Sequence, residues 1–142
     1  MHATIDADMM KAGILGGGQL GRMLLQEAAN YPVETWVLEN DASCPAAHLC
    51  HRFIQGNIQD YQAVLDFGRQ VDCLTIEIEH VNVEALEKLE SEGLRIYPRP
   101  SALRIIQDKV LQKEFYARHE IPTPEFHVIQ TAAELKNHLS FF

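Results

Sequence analysis

Short apolar runs alternate with helical patterns along the first hundred residues, and this alternation limits the possible folds more than any other feature. The runs that are typical of strands cover residues 12–15, 35–38, 52–54, 73–78 and 94–97. Between the first two runs, Leu20, Met23 and Leu24 recur at helical spacing until Pro32. Strands that alternate with helices build a parallel sheet covered by helices on both faces. We therefore predict an α/β fold with a doubly wound, Rossmann-like parallel sheet.

Prolines and cap residues mark the expected ends of elements. Asp60 and Asn82 each precede a helical pattern and are predicted N-caps, and Gly93 is predicted to end the second of these helices. After Pro98-Arg99-Pro100, Ser101 is predicted to cap one long helix that extends to Glu120. A strand at residues 125–129 and a helix beginning with the capping-box pattern TAAE should follow. We expect a loose arm, a sheet domain, and a linking helix with the first elements of a second, truncated domain, at residues 1–10, 11–100 and 101–142.

The stretch ILGGGQLGR joins the first strand to the first helix. Its spacing Gly16, Gly18, Gly21 satisfies GxGxxG, a pattern found in dinucleotide-binding domains, and Glu39 ends the second strand where such domains hold a ribose hydroxyl. Glycines at a helix N-terminus also suit other anionic ligands, and a purely structural turn is a third interpretation. Gln19 and Arg22 place polar groups directly at the turn, which favours a compact ligand over a dinucleotide.

Two carboxylates follow the fourth apolar run. Glu77 and Glu79 are two residues apart in LTIEIEHV, so an extended strand would direct both to the same side. Since burial of unpaired carboxylates is costly, we expect them at the carboxyl end of the strand, where α/β sheets bind ligands. In the alternative interpretation, the strand ends at Ile76 and both carboxylates are solvated.

The loop after the second strand carries potential metal ligands. Cys44, His48, Cys50 and His51 lie close together in sequence, but their spacing lacks the paired arms of structural zinc sites. A packed loop is therefore favoured over a metal site.

Lys109 lies in the helix predicted after the prolines, on a partly apolar stripe. Its ammonium is able to reach a cleft and meet a phosphate, although helical position alone favours an ordinary surface lysine.

Composition narrows the class of protein. Twelve Lys and Arg residues against twenty Asp and Glu residues give a net charge of −8, and no basic run is present, so nucleic acid is not an expected partner. No apolar stretch has the length of about 20 residues that spans a membrane. Three cysteines and the lack of a secretory pattern predict reduced thiols and a cytoplasmic location.

Five blocks, in order and with natural spacing between Lys11 and Ile129, carry a resemblance to a known family. They are GGGQLGRML, DASCPAAH, TIEIEHVNVEALEKLE, YPRPSALRIIQDKVLQKEF and IPTPEF. The sequence resembles the N5-carboxyaminoimidazole ribonucleotide synthetases, ATP-grasp ligases of purine biosynthesis. The resemblance implies a pre-ATP-grasp domain and carboxylation of 5-aminoimidazole ribonucleotide by bicarbonate and ATP, through carboxyphosphate.

The resemblance also implies roles for particular residues. Gly18, Gln19 and Leu20 would contact the ribonucleotide, and Glu77 would hold its ribose or amine. Lys109 matches a position that meets ATP in the family. Second choices beside Glu77 are Glu79 and His80.

The remaining ATP contacts and the Mg²⁺ ligands are expected beyond residue 142, so the chain alone should be inactive. The resemblance further implies a homodimer at full length. The rival hypothesis is an NAD- or FAD-binding domain of an oxidoreductase, which rests on GxGxxG and Glu39.

Overall fold

A parallel sheet forms the centre of the computed structural model, which describes residues 9–137. Its strands are β1 (Met10–Leu15), β2 (Val33–Glu39), β3 (Arg52–Gln55), β4 (Cys73–Ile76) and β5 (Arg95–Tyr97). They lie in the order β3-β2-β1-β4-β5, and all pairs are parallel. The order changes direction between β1 and β4, which is the point where doubly wound sheets bind ligands. The predicted α/β fold is confirmed.

Helices connect the strands, except for the loop between β2 and β3, and continue after the sheet. They are α1 (Gln19–Ala28), α2 (Tyr61–Gly68), α3 (Val83–Ser91), α4 (Pro100–Gln107), α5 (Lys109–Arg118) and α6 (Ala132–Asn137). Both predicted N-caps are confirmed, because Asp60 accepts a hydrogen bond from the Ala63 amide at 2.7 Å and Asn82 accepts one from the Ala85 amide at 2.8 Å. Gly93 follows α3 with φ +97°, as its predicted role as a helix terminator requires.

Apolar side chains fill both faces of the sheet, because neighbouring residues of a strand point to opposite sides. On one face, Ile14 packs in a buried cluster with Leu25 of α1 and Val37 of β2. On the other face, a Cβ at Gly13 would lie only 2.9 Å from the side chains of Leu74 and Val71 and 3.0 Å from that of Phe67 in α2. These contacts fix the position of the carboxyl end of β1.

Each strand differs from its predicted run by one or two residues at one or both ends, and the differences in β1 and β4 concern the site. β1 begins at Met10, which pairs with Val33, so the predicted arm loses its last residue to the sheet. Residues 1–8 of that arm lie outside the described residues. β4 ends at Ile76 instead of residue 78, because Leu15↔Ile76 is its last pair with β1, which turns away at Gly16.

The region after the sheet departs further from prediction. The helix begins at Pro100, with Arg99 O accepting the Ala102 amide at 2.9 Å, so Ser101 is not the cap. The predicted long helix is two helices, because Asp108 accepts hydrogen bonds from the Val110 and Leu111 amides and begins α5.

Residues 125–129 form no strand, since none of the described residues pairs with them. The capping pattern of α6 is confirmed, with Thr131 Oγ1 accepting the Glu134 amide at 3.2 Å. Residues 138–142 lie outside the described range.

The chain divides into two compact units between Arg104 and Ile105. The first unit contains the sheet, and the second contains α5 and α6. Among the described helices, none combines the length and the apolar character that a membrane span requires.

Candidate functional site

The glycine turn, residues Gly16–Gly18, connects β1 to α1 at the switch point of the sheet. Gly16 has φ +101°, which side-chain-bearing residues rarely adopt, and its amide donates to Leu38 O at 3.0 Å. Gly18 is the N-cap of α1, and its carbonyl accepts the Arg22 amide at 3.0 Å. A Cβ at Gly21 would lie 3.1 Å from Gly16 O, so the helix approaches the turn closely. The backbone therefore requires glycine at positions 16 and 21, whereas Gly18, with φ −71°, is limited by the Glu77 side chain.

Glu77 lies over this turn. Its amide donates to Leu15 O at 2.8 Å, immediately after the last β1–β4 pair, and so fixes the residue beside the end of β1. A Cβ built on Gly16 would be 2.8 Å from Glu77 Oε2, and one on Gly18 would be 2.7 Å from Oε1. The side chain is half-buried, and its carboxylate has no hydrogen bond or ion pair within residues 9–137. It is thus an acceptor group that lies against the turn without a hydrogen-bonding partner among those residues.

The position of the Glu77 carboxylate changes what the turn is able to bind. A negative charge at a helix N-terminus is stabilised by about 0.3–1 kcal/mol when exposed. The same charge repels a phosphate from the space over Gly16 and Gly18. Hydroxyl and amine groups, which donate hydrogen bonds, suit this place better than a pyrophosphate does.

The other predicted site residues are distributed around the turn. Gln19 and Leu20 are the first two residues of α1 and are exposed. Glu79 and His80 follow β4 and form an ion pair at 3.9 Å with each other when His80 is protonated. The prediction that Glu77 and Glu79 extend from one side of a strand is wrong, because the strand ends before both. The alternative was right about the end at Ile76 but not about Glu77, which is half-buried.

Glu39 contacts the turn from the end of β2. Its Oε2 accepts a hydrogen bond from the Gly17 amide at 3.0 Å, and its Oε1 accepts from the amides of Asn40 at 2.6 Å and Asp41 at 3.2 Å. Both oxygens are therefore engaged with the main chain. This use of Glu39 does not suit the ribose-binding role that the dinucleotide hypothesis assigned to it.

The loop after β2 packs on the other side of Gly17. Cys44 is buried, and a Cβ on Gly17 would lie 2.5 Å from its Sγ. The Ala46 amide donates to Gly17 O at 3.0 Å, and Cys50 packs against the same apolar cluster. The predicted packed loop is confirmed by these contacts.

His51 has a separate role at the end of this loop, where its Nδ1 accepts the Thr35 amide at 3.0 Å. In the described part of the chain, no three His, Cys, Asp or Glu side chains converge on a possible metal position.

Lys109 belongs to the second unit, where it is exposed at the start of α5. It lines a cavity of about 320 Å³. The lining residues are Lys109, Val110, Lys113, Phe126, His127, Val128 and Ile129. Lys113 donates to Thr123 Oγ1 at 2.6 Å and lies 5.6 Å from the centre of the Phe126 ring. Two ammonium groups beside apolar side chains provide complementary surfaces for a phosphate and a base.

The role of Lys113 in the cavity and the contact of Cys44 with Gly17 were not predicted. Lys113 lies four residues after Lys109, so helical spacing alone places both on one face of α5. The contact of Cys44 with Gly17 has no comparable signal in the sequence, because it depends on the path of the loop.

Comparison with known proteins gives a consistent result. The family described as the ribonucleotide synthetase preATP-grasp domain matches residues 9–107. The chain is 44% identical over 114 residues to the chloroplastic phosphoribosylaminoimidazole carboxylase of Vigna aconitifolia. It is 40% identical over 124 residues to the N5-carboxyaminoimidazole ribonucleotide synthase of Saccharolobus solfataricus. These alignments cover 80% and 87% of the chain, respectively.

A solved structure of the Aspergillus clavatus N5-carboxyaminoimidazole synthase, in complex with ADP and 5-aminoimidazole ribonucleotide, is similar with a TM-score of 0.81 and 38% identity. It matches 91% of the chain, which corresponds to 35% of the Aspergillus protein. The chain spans 20% of the length of the Vigna relative and 32% of the Saccharolobus relative.

Proposed function

The chain belongs to the family of ribonucleotide synthetase preATP-grasp domains, and we propose that it supplies the ribonucleotide-binding part of an N5-carboxyaminoimidazole ribonucleotide synthetase. The proposed reaction converts ATP, bicarbonate and 5-aminoimidazole ribonucleotide into N5-carboxyaminoimidazole ribonucleotide, ADP and phosphate. In this reaction, the γ-phosphoryl group of ATP passes to bicarbonate, and the exocyclic amine of the ribonucleotide then takes up the carboxyl group as phosphate leaves. The chain's contribution is to hold and orient the ribonucleotide.

The observation that carries this proposal is the Glu77 carboxylate over the glycine turn. It is half-buried, and within the described residues it is without a hydrogen-bond donor. A ribonucleotide provides donors in its ribose hydroxyls and its exocyclic amine. A hydrogen bond to a charged acceptor stabilises by about 1.5–3 kcal/mol, which is enough to orient one end of a small ligand.

Gly18, Gln19 and Leu20 surround the same place. Gly18 allows close approach because it has no side chain, and the exposed Gln19 amide is able both to donate and to accept. Leu20 is 64% exposed and offers an apolar surface to a ring. Repulsion by Glu77 places the phosphate of the ribonucleotide away from the turn. Glu79 and His80 remain second choices for contacts with the ligand.

ATP is proposed to bind through the second unit, with Lys109 meeting a phosphate. The cavity fits this assignment, because Lys109 and Lys113 supply positive charge while Val110, Phe126 and Ile129 supply apolar surface. Mg²⁺ would neutralise phosphate charge in such a reaction. The described residues do not group three suitable ligands, and the Mg²⁺ ligands are proposed to lie beyond residue 142.

The remaining partners follow from the family assignment. Bicarbonate is the proposed carboxyl donor, the full-length protein is proposed to be a homodimer, and a cytoplasmic location suits purine biosynthesis. These assignments rest on the family to which the chain belongs.

A ligand titration tests the proposed function directly. The chain is titrated with 5-aminoimidazole ribonucleotide and, in parallel, with NADH, while amide chemical shifts are followed by NMR. We expect the ribonucleotide to shift the amides of Gly16–Leu20 and Glu77, and NADH to leave them unchanged. Saturable NADH binding without a response to the ribonucleotide would overturn the proposal in favour of a dinucleotide-binding domain.

A further inference from the structure

We propose that Glu39 is a positioning residue for the ribonucleotide. It fixes the glycine turn beneath Glu77 and does not itself touch the ligand. This inference rests on the proposed function, because it concerns the same ligand and the same turn. It gives a role to the acidic residue at the end of β2 that the dinucleotide hypothesis had assigned to a ribose.

The hydrogen bonds of Glu39 connect two segments. Through Oε2 it holds the Gly17 amide at 3.0 Å, and through Oε1 it holds the amides of Asn40 and Asp41 at 2.6 and 3.2 Å. One carboxylate therefore ties the glycine turn to the beginning of the loop after β2. Hydrogen bonds with a charged acceptor are about twice as strong as those between neutral groups. The glycine turn is therefore strongly linked to the loop after β2.

Gly17 is also held from its opposite side. Its carbonyl accepts the Ala46 amide at 3.0 Å, and the buried Cys44 leaves no space for a side chain on it. Its chain neighbours, Gly16 and Gly18, are the two residues that lie against the Glu77 carboxylate. A shift of Gly17 therefore moves both surfaces on which Glu77 rests.

The flexibility of glycine explains why this support is needed. A run of three glycines has more backbone freedom than any other tripeptide, and ordering it costs conformational entropy. When the turn is already fixed before the ligand arrives, binding does not carry this entropic cost. Glu39 supplies this fixation through its hydrogen bond to the amide of the middle glycine.

The test compares Glu39→Gln and Glu39→Ala with the unmodified chain. The Gln variant keeps the size of the side chain but must turn its NH2 group toward either Gly17 or the Asn40 and Asp41 amides, so the link between the two segments breaks. Glu34→Gln is the matched control, because Glu34 lies on the same strand and accepts a hydrogen bond from Trp36 Nε1 at 2.8 Å. Each protein is titrated with 5-aminoimidazole ribonucleotide by NMR, well below its melting temperature, and amide hydrogen exchange is measured in the absence of ligand.

We expect both Glu39 variants to bind the ribonucleotide at least tenfold more weakly and to exchange the Gly17–Gln19 amides faster, while Glu34→Gln stays within twofold of the unmodified chain. A merely structural role would lower the melting temperature but leave the affinity of the folded protein unchanged. Wild-type affinity in the folded Glu39 variants would overturn this inference and leave the proposed function standing. No ribonucleotide binding by the unmodified chain would overturn both. Should Glu39→Ala not fold, the size-conserving Gln variant decides.

Discussion

The Glu77 carboxylate occupies the place that a side chain on Gly18 would need, since a Cβ there would lie 2.7 Å from Glu77 Oε1. Gly18 begins α1 after the first strand of the sheet, whereas Glu77 follows β4. The contact therefore joins two connections that are distant in sequence and adjacent at the switch point. It determines which chemical groups are able to approach the turn.

Removing the charge of Glu77 should weaken ribonucleotide binding. Glu77→Gln replaces a charged acceptor by a neutral amide, and loss of a charge-assisted hydrogen bond costs about 1.5–3 kcal/mol, or roughly 10- to 150-fold in affinity. The dissociation constant from an NMR titration measures the change. Glu90→Gln, an exposed substitution on α3, is the control and should bind like the unmodified chain. Equal affinity of the Glu77 and Glu90 variants would remove Glu77 from the site.

A methyl group at Gly18 should act on binding more than on stability. Gly18→Ala places its Cβ within 2.7 Å of the end of the Glu77 side chain, which is flexible and able to move aside. We expect the ribonucleotide affinity to fall, and the free energy of unfolding to change by less than about 1 kcal/mol. Urea unfolding and the titration together separate the two effects. A large loss of stability with unchanged affinity would contradict this prediction.

A methyl group at Gly17, in contrast, should lower the stability of the fold. Gly17→Ala brings its Cβ to 2.5 Å from the buried Cys44 Sγ, and overpacking of this kind costs about 1–3 kcal/mol. Urea unfolding measures the loss. Cys44→Ala removes the sulfur, so the double variant should be more stable than the sum of the two single changes predicts. Strict additivity would show that the sulfur is not the obstacle.

Lys109 should affect ATP and not the ribonucleotide. In a synthetase of full family length that carries this segment, Lys109→Ala should raise the KM for ATP roughly 10- to 150-fold, because a charge-assisted contact with phosphate is lost. Steady-state kinetics with each substrate varied in turn provides the measurement. Glu77→Gln should show the reverse pattern, a raised KM for the ribonucleotide with little change for ATP. Wild-type kinetics in both variants would refute the residue assignments even within the correct family.

Acid should destabilise the first unit partly through Glu92. Arg69, hydrogen-bonded at 2.8 and 3.0 Å, and then Lys88 lower the pKa of Glu92 from 4.5 to about 2. Because the folded-state pKa is depressed, the resulting stabilisation is present above pH 4.5 and is lost as the pH falls toward 2. Glu92→Gln should therefore be less stable than the unmodified chain at pH 6, and the difference should shrink at pH 2.5. Urea midpoints at the two pH values measure it, and an equal difference at both would contradict the assignment.

Local sequence signals predicted most of the sheet domain. The caps Asp60 and Asn82 and the terminator Gly93 act through neighbouring backbone groups, so their residue types alone indicate their roles. The end of β4 was predicted two residues too late, because it is set by the point at which β1 turns at Gly16, and not by the apolar run 73–78. The long helical pattern after the prolines is interrupted at Asp108 because the Asp108 side chain caps two backbone amides. This local effect outweighs the continuous helical pattern.

The site was only partly predictable for a similar reason. GxGxxG indicates a tight strand-to-helix turn but not the charge that lies above it, which comes from Glu77 on a different connection. Glu39 was recognised as a carboxylate at a functional end of the sheet. Its engagement with the Gly17 amide depends on the distance between the ends of β1 and β2, which no residue pattern encodes.

The pairing of Leu15 with Ile76 also determines when, during synthesis, Glu77 reaches the glycine turn. During synthesis the glycine turn emerges early, whereas Glu77 arrives only after β2, α1, β3 and α2 have been made. A nascent chain that has folded only its first three strands displays the turn without its carboxylate. Because long-range parallel pairing is slow to form, we expect β4 to dock late. A ligand that needs Glu77 would bind only chains in which β4 has already paired with β1. By mass action, it would protect those chains from unfolding.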